Sequence, residues 1–276
     1  LPRFQRDTTD RNRTSPFAFT GNKFEFRMLG SSNSIACANI MLNAAVASVL
    51  HRYADILESS ESFDTALHEL IRSVIICHKR IIFNGNGYDA AWLREAEEVR
   101  GLSNLRTTPD CMPRLLDKKN IDMLTSEGVY TEAELHSRYE IMLENYCKTV
   151  SIEALTMADM AKKEILPAVE AYAADTARAA AAKRGLDPDC ACTYERGLVR
   201  RLSTLCDVIA ANTEALEDSM LHLHDAADVT AESCAIRDDV LPRMRELRAA
   251  ADEAESITSA KYWPYPTYSE LLYGVG

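Results

Sequence analysis

Three helical segments with long apolar seams occupy the second half of the chain and constrain its fold more than any other feature. In each segment apolar residues recur every three or four positions, the spacing of one face of an α-helix. The segments cover residues 131–185, 191–224 and 231–256, and short turns join them. The second seam has one polar break, at Asn212. Such helices bury their seams only against one another, so the sequence predicts a long antiparallel three-helix bundle.

Prolines interrupt two of these three helices. Pro167 lies inside the first helix and Pro242 inside the third. Proline lacks a backbone N–H and its ring clashes with the preceding turn, so each is expected to bend its helix. The first helix is expected to continue beyond Pro167 until Gly185, where a proline-containing turn begins.

A short stretch near the start has the period of a β-strand instead. Lys23, Glu25 and Arg27 alternate with three apolar residues and therefore share one face. The break at residues 20–22 and the apolar run before it predict two short β segments joined by a turn. The alternation alone favours an edge strand whose polar face lies in water. The alternative is a site, because a carboxylate between two cations can hold a divalent metal together with a polyanion.

The residues around this strand also resemble a known family, the glutamine synthetases. In that family an Asn-Arg-Ser/Thr segment precedes Glu-x-Arg at the end of a barrel strand in the C-terminal part of the catalytic domain. A Ser/Ala-Asn-rich turn then leads into a helix of small residues. The chain has Asn12-Arg13-Thr14, then Glu25-Phe26-Arg27, then the segment 31–42. The resemblance is closest to the large type III bacterial enzymes.

The resemblance implies roles for four residues. Glu25 would be a ligand of Mg²⁺ or Mn²⁺, and Arg27 would be a catalytic residue that contacts glutamate or its transferred phosphoryl group. Arg13 and Lys23 would bind the nucleotide, ATP, which is a substrate. The chain departs from the family pattern at Ala18, where many members carry a further arginine.

A looser resemblance continues through the helices that follow. The family has Leu-Asp, then Gly-Val-Phe/Tyr-Thr, then an acidic helix, and the chain has Leu116-Asp117 and then residues 128–131. Thr131 and Glu134 have the spacing of a capping box, which predicts the start of that helix. We interpret residues 1–150 as the C-terminal part of a catalytic domain and residues 151–260 as a long-helix extension. Residues 261–276 form an aromatic tail, expected to dock back on the catalytic part near residues 35–85.

The resemblance therefore implies a mainly α chain, with a short β segment from the end of a glutamine-synthetase-type catalytic domain, further helices and the bundle. It implies ATP-dependent ligation of ammonia to L-glutamate through a glutamyl-phosphate intermediate. Other metal ligands would lie upstream of Leu1, so the chain is expected to be part of a longer protein and inactive alone. Subunits of this family form stacked rings, which implies a homo-oligomer. The alternative is a helical interaction or oligomerisation module without catalysis.

Composition argues against two classes of partner. The net charge is −11 and the isoelectric point is about 5.1, which argues against nucleic acid and an anionic membrane surface. The longest apolar runs are too short to span a bilayer, and no signal region opens the chain. We therefore expect a cytoplasmic protein.

The eight cysteines support the same compartment. They are scattered along the chain without the spacing of a zinc site, which is typical of a reduced cytoplasmic protein. Cys190 and Cys192 are the exception, because they lie two residues apart in a proline-containing turn. Such a pair could bind a metal or be oxidised, but an idle pair of loop thiols is the simpler interpretation.

Overall fold

The computed structural model describes residues 17–19, 24–26, 34–83, 87 and 89–274, with only the backbone described at 17–19, 24–26, 224 and 268. The chain forms two compact units. Unit 1 comprises Leu1–Arg106 and Arg114–Leu135, and unit 2 comprises Thr107–Pro113 and His136–Gly276. The prediction of a mainly helical chain is confirmed.

Two three-residue strands precede the helices. Strand β1 is Phe17–Phe19 and strand β2 is Phe24–Phe26, and they pair in an antiparallel two-stranded sheet. The register places Phe17 opposite Phe26 and Ala18 opposite Glu25. The origin of this sheet in a glutamine-synthetase-type barrel stays a prediction.

The helices of unit 1 surround a small core. Ala44, Leu124 and Leu135 are its buried members, and α1 packs against both α2 and α5. The Nδ1 atom of His51 on α1 lies 3.1 Å from the Glu127 carboxylate, just after α5. The elements of this unit are α1 (Ala36–Glu58), α2 (Phe63–His78) with a 3₁₀ turn (Lys79–Ile81), α3 (Ala90–Arg94) with a π turn (Glu95–Val99), and α5 (Lys118–Ser126).

The helices of unit 2 are longer. The predicted boundary between residues 150 and 151 falls inside α6, which continues without a break. The elements are α4 (Thr108–Cys111), α6 (Glu132–Met160) with a π turn (Ala161–Ile165), α7 (Leu166–Leu186), α8 (Thr193–His222), α9 (Val229–Ala235) with a π turn (Ile236–Val240), α10 (Leu241–Ile257) and α11 (Tyr268–Tyr273). The first turn of α6, up to Leu135, belongs to unit 1. A 3₁₀ turn (Met112–Leu116) follows α4, and another (Leu223–Asp225) follows α8.

Helix α8 is the central element of the unit 2 core, because it packs against α7 on one side and α10 on another. Its seam residues Leu202, Ile209 and Leu216 are fully buried in a cluster shared with the neighbouring helices. The polar break lies one position later than predicted, because Thr213 is buried whereas Asn212 is only partly covered. The Thr213 hydroxyl donates to the Ile209 carbonyl at 2.7 Å, so its burial leaves no polar group unpaired.

Each of the two interrupting prolines is separated by one residue from the end of a π turn. Pro167 is the second residue of α7 and Pro242 is the second residue of α10. The residues before α7 and α10, Ile165 and Val240, are themselves helical, so each helix continues through its π turn and the proline lies where the hydrogen-bonding pattern changes. Both π turns contact α8 and contribute buried residues to the core.

Three aromatic residues after α10, Tyr262, Trp263 and Tyr265, pack on the long helices of unit 2. The ring of Tyr262 lies 5.2 Å from that of Tyr172 on α7, and its hydroxyl donates to the Asp175 carboxylate. Trp263 and Tyr265 pack against the unit 2 core. This packing differs from the expected docking near residues 35–85, because the tail aromatics find apolar surface and carboxylate partners on the helices next to them.

Candidate functional site

The predicted catalytic strand is described only in part. Glu25 belongs to β2, where its backbone lies opposite Ala18, and its side chain is outside the description. Arg13, Lys23 and Arg27 lie outside the described residues altogether. The roles that the resemblance implies for these four residues therefore stay predictions.

The ligand preferences of divalent metal ions bear on the role predicted for Glu25. A carboxylate such as Glu25 is the hard oxygen ligand that Mg²⁺ and Mn²⁺ prefer, but these ions need about six ligands. Within the ranges 34–83 and 89–274, no group of three or more histidine, cysteine, aspartate or glutamate residues is arranged to hold a metal. Glu25 thus fits the ion as one ligand of a larger set.

Helices α1 and α2, which follow the strands, leave much apolar surface uncovered. Ala44 is the only buried residue of α1, and α2 has none. Ile76 on α2 is 67% exposed, although isoleucine side chains are usually buried. The exposed large apolar residues from α1 to the end of α2 and its 3₁₀ turn are Ile35, Val46, Leu50, Ile56, Phe63, Ile75, Ile76, Ile81 and Ile82. Exposed apolar surface of this extent is typical of a site that contacts another protein surface, a membrane or a ligand.

An aromatic and cationic cluster joins the end of α2 to α3 in unit 1. The rings of Phe83 and Trp92 stack with their centroids 3.7 Å apart, and the Arg100 guanidinium lies 4.8 Å from the Trp92 ring. Arg100 also donates to the carbonyls of Arg80 and Ile82, at 3.2 and 2.7 Å. The hydrogen bonds described for Arg100 all go to nearby residues of unit 1, so we interpret the cluster as a structural anchor.

A second charged cluster attaches the segment 107–113 to the helices of unit 2. The Arg237 guanidinium donates to Asp110 at 2.5 Å and to the neighbouring Asp238 at 2.7 Å. Arg237 lowers the pKa of Asp238 through this hydrogen bond. The nearby Tyr146 hydroxyl is buried without a hydrogen-bond partner in the described part of the chain, and burial raises its pKa. We interpret the ion pair as an anchoring contact, because Asp110 and Asp238 both hold the Arg237 guanidinium and no metal-ligand group lies here among the described residues.

Unit 2 also contains an apolar groove of about 570 Å³ between α6, α10 and the tail. Met157, Met160 and Met244 line it together with Trp263 and Tyr265, whose rings meet edge to face at 6.2 Å. Burial and the nearby Glu164 carboxylate raise the pKa of Tyr265 to about 12. The groove can accept apolar groups, and flexible methionines suit such contacts. Sequence reasoning missed it because the tail was expected to lie elsewhere.

Among the helices that the structure describes, none combines the length and apolar character needed to cross a bilayer.

Comparison with known proteins relates the chain to one family. Residues 66–184 match the family described as the glutamine synthetase C-terminal domain. The chain is 37% identical to a glutamine synthetase of Butyrivibrio fibrisolvens and 34% identical to the type-3 glutamine synthetase of Dictyostelium discoideum. It is 30% identical to a glutamine synthetase of Bacteroides fragilis. Each similarity covers 99% of this chain but only 39%, 38% and 38% of the respective relative.

These similarities confirm the resemblance to the C-terminal region of type III glutamine synthetases. The chain spans about two fifths of the length of the curated relatives it matches. The family match continues to residue 184, so it includes α6 and most of α7. Part of the predicted long-helix extension is therefore covered by the family's own pattern.

Proposed function

Because the chain is similar over 99% of its length to glutamine synthetases, and residues 66–184 match the C-terminal domain of that family, we propose that it serves as the C-terminal part of a longer enzyme. The longer protein would ligate ammonia to L-glutamate, using ATP and a glutamyl-phosphate intermediate. The similarity over 99% of the chain is the observation that carries this proposal. In this proposal the chain alone is inactive, and the full protein is cytoplasmic and forms a homo-oligomer of stacked rings.

The four residues around β2 have distinct roles in the proposal. Glu25 holds the divalent ion as one carboxylate ligand of a set that the rest of the enzyme completes. Arg27 donates hydrogen bonds to the glutamate carboxylate or the transferred phosphoryl group and neutralises its charge. Arg13 and Lys23 bind the ATP phosphates. Bound Mg²⁺ or Mn²⁺ would offset negative charge between nucleotide and glutamate.

The exposed apolar faces of unit 1 support a larger catalytic domain around this strand. Ile75 and Ile76 lie on α2, which buries none of its residues within the described chain. Contiguous apolar surface is unfavourable in water, with a cost of about 25 cal/mol per Å². We infer that these faces pack against the remainder of the catalytic domain in the longer protein.

Glutamine formation by the longer protein tests the proposal. We expect Glu25→Ala to lower synthesis by at least about 100-fold, because metal coordination supplies several kcal/mol of transition-state stabilisation. The assay contains ATP, glutamate, ammonium and either Mg²⁺ or Mn²⁺. Mn²⁺ affinity, measured by paramagnetic relaxation, should fall as well.

Glu61→Ala provides the matched control, since Glu61 is an exposed carboxylate between α1 and α2. Its variant should retain both synthesis and Mn²⁺ affinity. Turnover of Glu25→Ala at the unmodified rate, or loss of its helical circular dichroism, would contradict the role as a metal ligand.

A helical interaction module without catalysis is the second candidate function. Ile141, Ile152 and Leu155 on α6 are exposed and share a helix face, which favours a partner on that side. Ile152→Asp and Leu155→Asp should then reduce oligomer size in sedimentation of the longer protein. Loss of assembly with retained synthesis would assign the long helices to assembly. Inactivity of the unmodified longer protein would favour the module.

A further inference from the structure

Two cysteine sulfurs lie close together in the turn between α7 and α8. The Sγ atoms of Cys190 and Cys192 are 3.5 Å apart. Cys190 is partly exposed, whereas Cys192 is only 6% exposed and precedes the first residue of α8. The pair therefore combines one partly exposed cysteine with one that the fold buries.

The backbone at Cys192 brings the two sulfurs together. In an extended segment, residues two apart are separated by about 6.6 Å along the chain. Cys192 has φ = 46°, and among the described residues it is the only non-glycine residue with a positive φ. A left-handed conformation costs about 1 kcal/mol or more for such a residue, so the surrounding contacts hold it. The Cys192 thiol also lies 3.7 Å from the Ala180 carbonyl oxygen.

The charges around the pair are also defined. Lys183 forms an ion pair with Glu195, and the Lys183 ammonium lies near both thiols. Burial is the main cause that raises the pKa of Cys192, followed by its hydrogen bond with Cys190, while Lys183 acts in the opposite direction. Cys192 is thus a poor nucleophile toward solvent, and Lys183 assists the formation of its thiolate.

We propose that Cys190 and Cys192 form a thiol–disulfide exchange site that reacts with low-molecular-weight disulfides. The proposal is independent of the proposed ligase activity. In the first step the Cys190 thiolate attacks one sulfur of the small disulfide, and one small thiolate leaves. In the second step the Cys192 thiolate attacks the Cys190 sulfur of the mixed disulfide, and the second small thiolate leaves.

The reaction balances without any further reagent. The two protons of the cysteine thiols pass through solvent to the two small thiolates. Two cysteine thiols are oxidised to one disulfide, while one small disulfide is reduced to two thiols. A disulfide that closes so short a loop is strained, and strained disulfides are easily reduced again. The exchange is therefore reversible.

Tryptic digestion isolates the site in a single peptide. Cleavage after Arg184 and Arg196 releases residues 185–196, which contain Cys190 and Cys192 and no other cysteine. The reduced 276-residue chain is treated with excess oxidised glutathione, quenched with an alkylating reagent and digested. We expect this peptide to carry no alkyl group and to weigh two hydrogen atoms less than its reduced form.

The same treatment in denaturant measures how much of the internal disulfide forms when the fold no longer holds the two cysteines together. We expect the folded chain to give a several-fold larger fraction of the internal disulfide than the unfolded chain. Cys192→Ser should stop at the glutathione adduct of Cys190, because the second step has no nucleophile. Lys183→Gln should slow closure of the disulfide, since it removes the charge that favours the Cys192 thiolate.

Cys37, Cys77 and Cys111 are exposed and report whether the reagent has acted. If they are modified while the 185–196 peptide carries two alkyl groups, the proposal is wrong. Two glutathione adducts on that peptide, or equal closure in folded and unfolded chains, would also overturn it.

Discussion

The two units differ in how much core each one contains. Among the residues that the structure describes, the unit 2 cluster has nineteen buried residues, most of them from the long helices and the two π turns of that unit, whereas the unit 1 cluster has three. Helix α8 of unit 2 buries a continuous seam, but α2 of unit 1, with 16 residues, buries none. Hydrophobic burial is the main force that opposes chain entropy, so unit 2 carries its own stability. Unit 1 has enough apolar residues for a core, but within the described residues those of α1 and α2 are mostly left uncovered.

The largest effect that tests this contrast is expected for Leu216→Ala in unit 2. Leu216 is 0% exposed, so the change removes buried methyl groups and leaves a cavity. It should lower the free energy of unfolding by about 2–5 kcal/mol. Ile76→Ala in α2 truncates a side chain of the same size. It should change the free energy of unfolding by less than about 0.5 kcal/mol, because Ile76 is exposed. Urea unfolding of the 276-residue chain, followed by circular dichroism, measures both.

The same pair of variants in the longer protein sharpens the comparison. There Ile76→Ala should become destabilising by about 2 kcal/mol or more if the rest of the catalytic domain covers α2. Equal effects of the two variants in the 276-residue chain would mean that the contrast between the units is wrong.

An intermediate effect is expected for Arg237→Ala, which removes the contact between the segment 107–113 and the π turn before α10. The loss leaves Asp110 and Asp238 without their shared cation. The thermal midpoint of unit 2 should fall, by less than for Leu216→Ala. Lys148→Ala is the control, because its pair with Glu144 is an exposed helix-surface contact and should matter little.

The pH dependence of this variant follows from Asp238. The pKa of Asp238 is lowered in the folded chain, so its stabilising contribution is present above the ordinary carboxyl pKa. That contribution disappears as the pH falls through the lowered value. The difference in midpoint between the natural chain and Arg237→Ala should therefore shrink in acid, and a difference that grows in acid would contradict the assignment.

The smallest effect is expected for Tyr265→Phe in the groove. Folding raises the Tyr265 pKa from 10.0 to about 12, so the folded chain holds this proton more tightly than the unfolded chain. The associated stability is complete below pH 10 and is lost as the pH rises through about 12. Tyr265→Phe should remove this alkaline loss in urea midpoints, whereas Tyr194→Phe, at an exposed tyrosine, should not. Identical alkaline profiles for the natural chain and Tyr265→Phe would refute it.

Local chemistry was the part of the fold that the sequence could predict. The capping box at Thr131 is confirmed, since the Thr131 N–H donates to Glu134 at 2.8 Å and the Glu134 N–H donates to the Thr131 hydroxyl at 3.3 Å. Such contacts depend on neighbours three residues apart, and sequence spacing reports them directly. The long helices were predictable for the same reason.

The tertiary packing of α8 and of the aromatic tail was harder to predict. The polar break of α8 was placed at Asn212, but the fold buries Thr213, whose hydroxyl can bond its own helix. The tail aromatics were expected to be buried, yet their composition did not indicate on which surface. For the candidate site, the sequence motifs indicated four residues, Arg13, Lys23, Glu25 and Arg27. Of these, the structure describes only the backbone of Glu25.

The π turns have a consequence for how this chain aligns with others of different length. A π turn closes its hydrogen bond over one more residue than an α turn does, and one residue equals about 100° of rotation along an α-helix. Ala161, Ile165, Val169 and Ala173 are spaced by four each, so on an uninterrupted α-helix the first and the last would lie about 120° apart, yet all four are buried in one core. An added residue is thus absorbed inside the helix while the buried faces before and after it stay in phase. We therefore expect gaps in an alignment at the π turns before α7 and α10, where a length change of one residue leaves the seam intact.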